Sequence, residues 1–140
     1  METDAPILLA AVSFLSALQM ARLARRVGLC RLAFNIKPPS VTGPPEFQRI
    51  FRAHQNCVEC YPLFLVMIWT CGMFFNEMTA VVGGLVYMVA RQIYFEGYIK
   101  SGEERLLGFY LTLGDFAIMS LLTVIGLLRG ILLKYFQIQL

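Results

Sequence analysis

The sequence predicts an all-α fold, an integral membrane four-helix bundle of left-handed sense, on three observations. Hydrophobic residues make up 58% of the 140-residue chain and charged residues only 15%, with mean hydropathy +0.65. A soluble domain carries about 25% charged residues and about 45–50% apolar ones. The charges that do occur are spaced so that they leave four apolar windows. The basic residues are concentrated in alternate connections between those windows. A water-soluble globule and a disordered chain are both poor fits to this composition. Eleven glycines and four cysteines also exclude a collagen-like repeat and a disulfide scaffold.

The windows define the elements in order. The first, Ala5–Ala21, is free of charge between Asp4 and Arg22. It lacks the basic start and the small-residue cleavage site of a signal peptide, so it is expected to stay as the first span. Then come Lys37-Pro38-Pro39-Ser40-Val41-Thr42-Gly43-Pro44-Pro45, a proline-rich stretch that breaks any helix. Pro45 and Glu46 are the residue types expected in the first turn of the next helix. The second window, Cys60–Asn76, and the third, Met78–Ala90, are separated by a tight turn around Asn76–Thr79. The fourth, Leu106–Leu128, holds one charge, Asp115. Predicted spans are about 6–30, 46–75, 78–100 and 103–129, in one membrane domain covering residues 1–140.

Charge sets the expected orientation. Seven basic residues lie between Arg22 and Arg52 (Arg22, Arg25, Arg26, Arg31, Lys37, Arg49 and Arg52), and Arg91, Lys100 and Arg105 lie between the third and fourth windows. The stretch before the first window has none, only Glu2 and Asp4; the second connection has only Glu77, and the tail has Arg129 and Lys134. The two basic connections are expected to face the cytosol and both termini the opposite side.

Two windows are too short to span alone. Met78–Ala90 as a helix covers only about 20 Å of a hydrocarbon core about 30 Å thick. The third helix must therefore continue through Arg91–Tyr98, and the second must begin upstream, through Arg49–Glu59. With Arg105 opening the fourth helix, three polar helix ends are expected to meet near the cytosolic boundary. At about 100° per residue, Arg49, Arg52, Asn56 and Glu59 share an arc of about 80°, and Arg91, Tyr94 and Tyr98 one of about 60°. Ionisable residues at membrane depth face the bundle interior or an aqueous cavity. Arginine forks bind carboxylate or phosphate, and Glu59 would meet an ammonium. Glutathione, with two carboxylates, one ammonium and a thiol, matches this inventory; a phospholipid head group matches part of it.

Simpler roles compete for several residues. Arg22, Arg25 and Arg26 read as anchors snorkelling to lipid heads. Arg91 reads as a partner of Glu59 or Glu96. Tyr94 and Tyr98 also suit an interfacial aromatic belt. His54, the only histidine, points away from the polar arc, and no metal site is expected. Cys57 and Cys60 form a C-x-x-C without the context of a redox motif, so buried thiols in a reducing compartment are expected. Asp115 reads as a proton relay or as a neutral hydrogen-bond donor in packing.

The run Gly43-Pro44-Pro45-Glu46-Phe47-Gln48-Arg49-Ile50-Phe51-Arg52-Ala53-His54-Gln55-Asn56-Cys57-Val58-Glu59 resembles the signature of the MAPEG family. So do Gly84–Tyr98 on the third helix, the opening Ile7–Ser13, and Arg105 with Gly108-Phe109. Departures from the family pattern fall at Gln48, His54 and Cys60. The resemblance implies a homotrimer in the endoplasmic reticulum membrane and nuclear envelope, with glutathione as co-substrate at each subunit interface, open to the cytosol. Arg31, Arg52, Asn56, Glu59, Tyr94 and Tyr98 would hold glutathione, and Arg105 would stabilise its thiolate. A lipid electrophile such as leukotriene A4 would enter from the bilayer, giving leukotriene C4; peroxidase activity stays open, and no nucleic-acid partner is expected. The alternative within the family is a non-enzymatic lipid-binding scaffold, against which Arg105 and Glu59 speak.

Overall fold

A computed structural model describes residues 5–137; Glu2 and Asp4, expected to mark the N-terminal side, lie outside the described residues. Four helices follow one another: α1 (Ile7–Ala33), α2 (Pro45–Phe74), α3 (Glu77–Lys100) and α4 (Leu106–Ile131). The end of α4 widens into a π-type turn over Leu132–Phe136. Every helix is long and apolar enough to cross a bilayer, so the chain is a multi-pass all-α membrane protein.

Local chemistry accounts for the helix starts. Pro45 occupies the first turn of α2, where its missing N–H costs nothing, and Glu46 sits at the positive end of the helix dipole. The Asn76 side chain accepts from the Thr79 amide at 2.9 Å and caps α3. α1 begins after Pro6, whose side chain offers no cap. Glu77, from the first turn of α3, supplies one: its carboxylate accepts from the amides of Leu8 and Leu9 at 3.1 and 3.3 Å. One acidic residue thereby serves two helix N-termini that meet at the same end of the bundle.

α3 is the central helix. Half of its apolar window is buried, against 22% for α1 and α2 and 11% for α4. Large side chains on the other faces, such as Phe14, Val66, Val82, Ile118 and Leu121, are exposed, as a surface solvated by hydrocarbon or by another subunit requires. Two interior clusters divide the bundle along its length. One gathers Leu9, Val12, Phe64, Ile68, Ala80, Tyr87 and Met119. In it Tyr87 lies between Phe64, at a ring separation of 3.9 Å, and Phe116, at 5.6 Å. The other gathers Leu23, Ala53, Cys57, Tyr94 and Phe95. It lies at the polar end, with a buried Arg91 beside it.

The cationic run at the end of α1 is not uniform. Arg26, expected to snorkel, forms an ion pair with Glu96 on α3, and its guanidinium lies 4.9 Å from the Phe95 ring centre. Glu96 also accepts from Gln92 at 2.8 Å. The reason is positional: Arg26 falls on the α1 face toward α3, whereas Arg22 and Arg25 are exposed.

Candidate functional site

The polar arc of α2 and the tyrosines of α3 face one another across a small cleft. Arg52, Gln55, Asn56, Glu59, Tyr94 and Tyr98 line it, around a volume of about 160 Å³. A second hollow of about 310 Å³ adjoins it, lined by Pro45, Gln48, Arg49, Arg52 and Tyr98. Arg52 and Tyr98 belong to both, so the two form one polar trough along the start of α2. Arg49 closes its end by donating through Nε to the Ile99 carbonyl at 3.1 Å, which holds α2 against the last turn of α3.

Among the described residues, the charges in this cleft have no ion-pair partner. Among the described residues the ion pairs are Arg26–Glu96 and Lys100–Glu104; neither Arg52 nor Glu59 takes part in one. Both are exposed, one guanidinium and one carboxylate two turns apart on the same helix face. Tyr94 is buried and Tyr98 half-buried, with ring centres 5.7 Å apart, and they form the apolar floor. Such an arrangement offers a bidentate anion fork, an acceptor for a cation, and phenol and amide groups between them.

Arg105 stands at the rim. It is the residue before α4, it donates to the Gly102 carbonyl within its own turn, and its guanidinium carbon lies 5.2 Å from the Tyr98 ring centre. α4 approaches α3 closely here because Gly108 has no side chain: a Cβ there would run into the backbone of Tyr94. Helix packing therefore sets Arg105 beside the tyrosine floor.

Arg31 is elsewhere. It donates to the Ser40 carbonyl at 2.6 Å and stacks on Phe47 and Phe51, 5.1 and 5.5 Å from their ring centres. It lines a separate, mainly apolar hollow of about 580 Å³ with Arg25, Leu29, Leu32, Ile36 and Lys37. Within one chain, then, Arg52, Asn56, Glu59, Tyr94, Tyr98 and Arg105 come together and Arg31 does not.

Arg91 departs most from the sequence expectation. It pairs with neither Glu59 nor Glu96. It turns into the bundle and is only 1% exposed. There its guanidinium donates to Asn56 Oδ1 at 2.7 Å and Cys57 Sγ at 3.2 Å, and lies 4.1 Å from the Tyr94 ring centre. The physical reason is the rotation of α3, which carries the Arg91 Cα inside while Glu96 faces α1. Gln55 also lines the cleft, from about 40° beyond the predicted α2 arc. His54 is half-buried outside the cleft, and Asp115 is buried on α4 without taking part in it.

A four-helix membrane protein with a polar cleft at one end of its bundle is what the fold and site define. The chain belongs to the MAPEG family, whose family model matches residues 8–125. It is 47% identical to human microsomal glutathione S-transferase 2 over 133 residues, covering 95% of this chain and 90% of that protein. Identity to the mouse protein of the same name is 50% over 128 residues, 91% and 87% of the two chains. Identity to bovine leukotriene C4 synthase is 44% over 129 residues, 92% and 86% of the two chains.

Proposed function

We propose that this chain is a membrane-bound glutathione transferase that joins glutathione to lipophilic electrophiles such as leukotriene A4, forming leukotriene C4, and that also acts as a glutathione peroxidase. The single observation that carries this is Arg52 and Glu59, unpaired among the described residues, on one face of α2 beside Tyr98 and Arg105. The names of the relatives, a glutathione transferase and a leukotriene C4 synthase, give it the same direction. Arg52 takes a glutathione carboxylate through its fork, Glu59 takes the ammonium, and Asn56, Tyr94 and Tyr98 bind the peptide between them.

Arg105 faces the thiol. A free thiol of pKa about 8.5 is only about 3% thiolate at pH 7, and a nearby guanidinium favours the charged form. The proton leaves to solvent, the thiolate attacks an epoxide carbon, the C–O bond breaks, and the alkoxide takes a proton from water. In the peroxidase reaction two glutathione thiols give a disulfide while the peroxide becomes an alcohol and water.

Two features fit a homotrimer with sites shared between subunits. Arg31 lies away from the cleft within one chain, and much of the α1 and α4 surface is apolar. A neighbour's Arg31 then completes the pocket, and the electrophile slides in from the bilayer along the subunit boundary. The basic connections support reading this end as cytosolic and the termini as lumenal, and the family resemblance supports the endoplasmic reticulum membrane and nuclear envelope as the location.

Titrating the purified protein with glutathione should produce ultraviolet thiolate absorbance, and a lipid-binding scaffold would give none. In Arg105→Ala the single-turnover rate should keep rising to about pH 8–9, where the wild type has levelled off. Equal inflections would make Arg105 an anchor rather than the thiolate stabiliser. Mixed trimers of Arg31→Ala and Arg52→Ala subunits should recover activity that neither variant has alone. No recovery in verified mixtures would place the whole site within one subunit.

A further inference from the structure

The guanidinium of Arg91 is nearly inaccessible and has no carboxylate partner among the described residues. A buried charge without a counter-ion is expensive at membrane depth, so what it contacts matters. Its contacts are a carboxamide oxygen, a thiol, a threonine hydroxyl at 3.5 Å and the face of one tyrosine. Two of these, Asn56 and Tyr94, are also walls of the polar cleft. Arg91 itself does not line it.

The contact with Asn56 carries chemical information. Arginine has five N–H donors and no acceptor. At 2.7 Å its partner on Asn56 must therefore be the carbonyl oxygen, which settles the amide's orientation by chemistry. The Cys60 thiol leans on the same oxygen at 3.9 Å. With Oδ1 committed to the interior, the Asn56 NH2 group is what remains for the cleft.

We infer that Arg91 is a positioning residue of the glutathione site, one that locks Asn56 as a hydrogen-bond donor toward the ligand and holds the Tyr94 ring beneath it. Asn56 then recognises an acceptor, a peptide carbonyl or carboxylate oxygen of the bound peptide, and the cation of the ligand is left to Glu59. The inference rests on the proposed glutathione site. Lysine at position 91 keeps the charge but has no planar fork, so it cannot bond Asn56 and lie flat on Tyr94 at once. Aspartate at position 56 keeps the bond to Arg91 and gives it a counter-ion, but presents an oxygen where the NH2 group stood.

The test is glutathione binding by calorimetry on the detergent-solubilised full chain, with single-turnover pH profiles of the same variants. Arg91→Lys should weaken glutathione binding tenfold or more, raise KM in proportion, and leave the pH inflection unmoved, because the thiolate is set by Arg105. Asn56→Asp should retain wild-type thermal stability or better and still lose binding tenfold or more. In an Asn56→Ala background, Arg91→Lys should cost clearly less than in the wild type, since one of the two groups it positions is gone and only its hold on Tyr94 remains. Wild-type affinity in Asn56→Asp would overturn the donor assignment. An undiminished Arg91→Lys penalty in the Asn56→Ala background would show that Arg91 does not act through Asn56. Should Arg91→Lys not assemble, Asn56→Asp, which leaves Arg91 in place, decides the donor assignment by itself. A wild-type protein that fails to bind glutathione would instead overturn the proposed function.

Discussion

The two interior clusters share α1, α2 and α3 but are built by different means, and α4 contributes only to the first. At the Glu77 end, Phe64, Tyr87 and Phe116 stack and small residues let α3 lie close to its neighbours. At the Arg105 end, the same α2 and α3 are joined around a buried cation and leave charged groups facing an open cleft. Apolar packing needs only shape, because lipid tails are as apolar as the core and the gain is in contact. A buried arginine needs particular partners at particular places, and Asn56, Cys57 and Tyr94 supply them. The apolar half stabilises the bundle, and the polar half gives up some packing to hold groups where a ligand can use them.

Breaking each half should give different symptoms. Phe64→Ala deletes a ring with 2% exposure from the aromatic stack, and truncating such a residue costs about 3–5 kcal/mol. Thermal unfolding in detergent should report that loss, while the folded fraction binds glutathione as before. Weaker binding per folded molecule would mean the two halves are coupled. Next in size come Arg52→Lys and Glu59→Gln. Glu59→Gln removes one partner of a charge pair desolvated by the ligand, which costs about 2–5 kcal/mol, and Arg52→Lys keeps the charge but loses the bidentate fork. Since about 1.4 kcal/mol is a factor of ten, glutathione should bind at least tenfold more weakly with unfolding unchanged. Full affinity in both variants would take these residues out of the site.

A matched pair of glycines sharpens the contrast. A Cβ at Gly108 meets the Tyr94 backbone, and a Cβ at Gly126 meets the backbone of Phe74 and Phe75 at the other end. Forcing either helix pair apart costs about 1–3 kcal/mol. Both alanine variants should lose stability, but Gly108→Ala alone should also lower turnover, by moving Arg105 away from Tyr98. Equal turnover in the two would separate α4 packing from the site. The smallest effect belongs to Arg26→Gln. Its pair with Glu96 is about a third exposed on the arginine side, and such pairs contribute about 0–1 kcal/mol. A shift larger than that in unfolding would show the α1–α3 contact to be a structural anchor.

The amino-acid sequence by itself determined a large part of this. Sparse charges marked four apolar windows, and the short second and third windows required α2 and α3 to carry polar turns into the membrane boundary. Helical periodicity then put Arg52, Asn56 and Glu59 on one face, because positions along a single helix follow from residue spacing alone. Tertiary structure decided how each helix is rotated against the next, which spacing within one helix does not specify. That rotation turned Arg91 inward to Asn56 instead of out to Glu59 or Glu96, and gave Glu96 to Arg26. It set Glu77 over the start of α1 and kept Arg31 on Ser40 and two phenylalanines, away from the cleft. The close approach at Gly108 brought Arg105 to Tyr98. The contacts of Arg91, Arg26 and Glu77 join groups on different helices far apart in sequence, chosen by the packing of whole helix faces rather than by the local chain, whereas Arg31–Ser40 and Arg105–Tyr98 each bridge one connection.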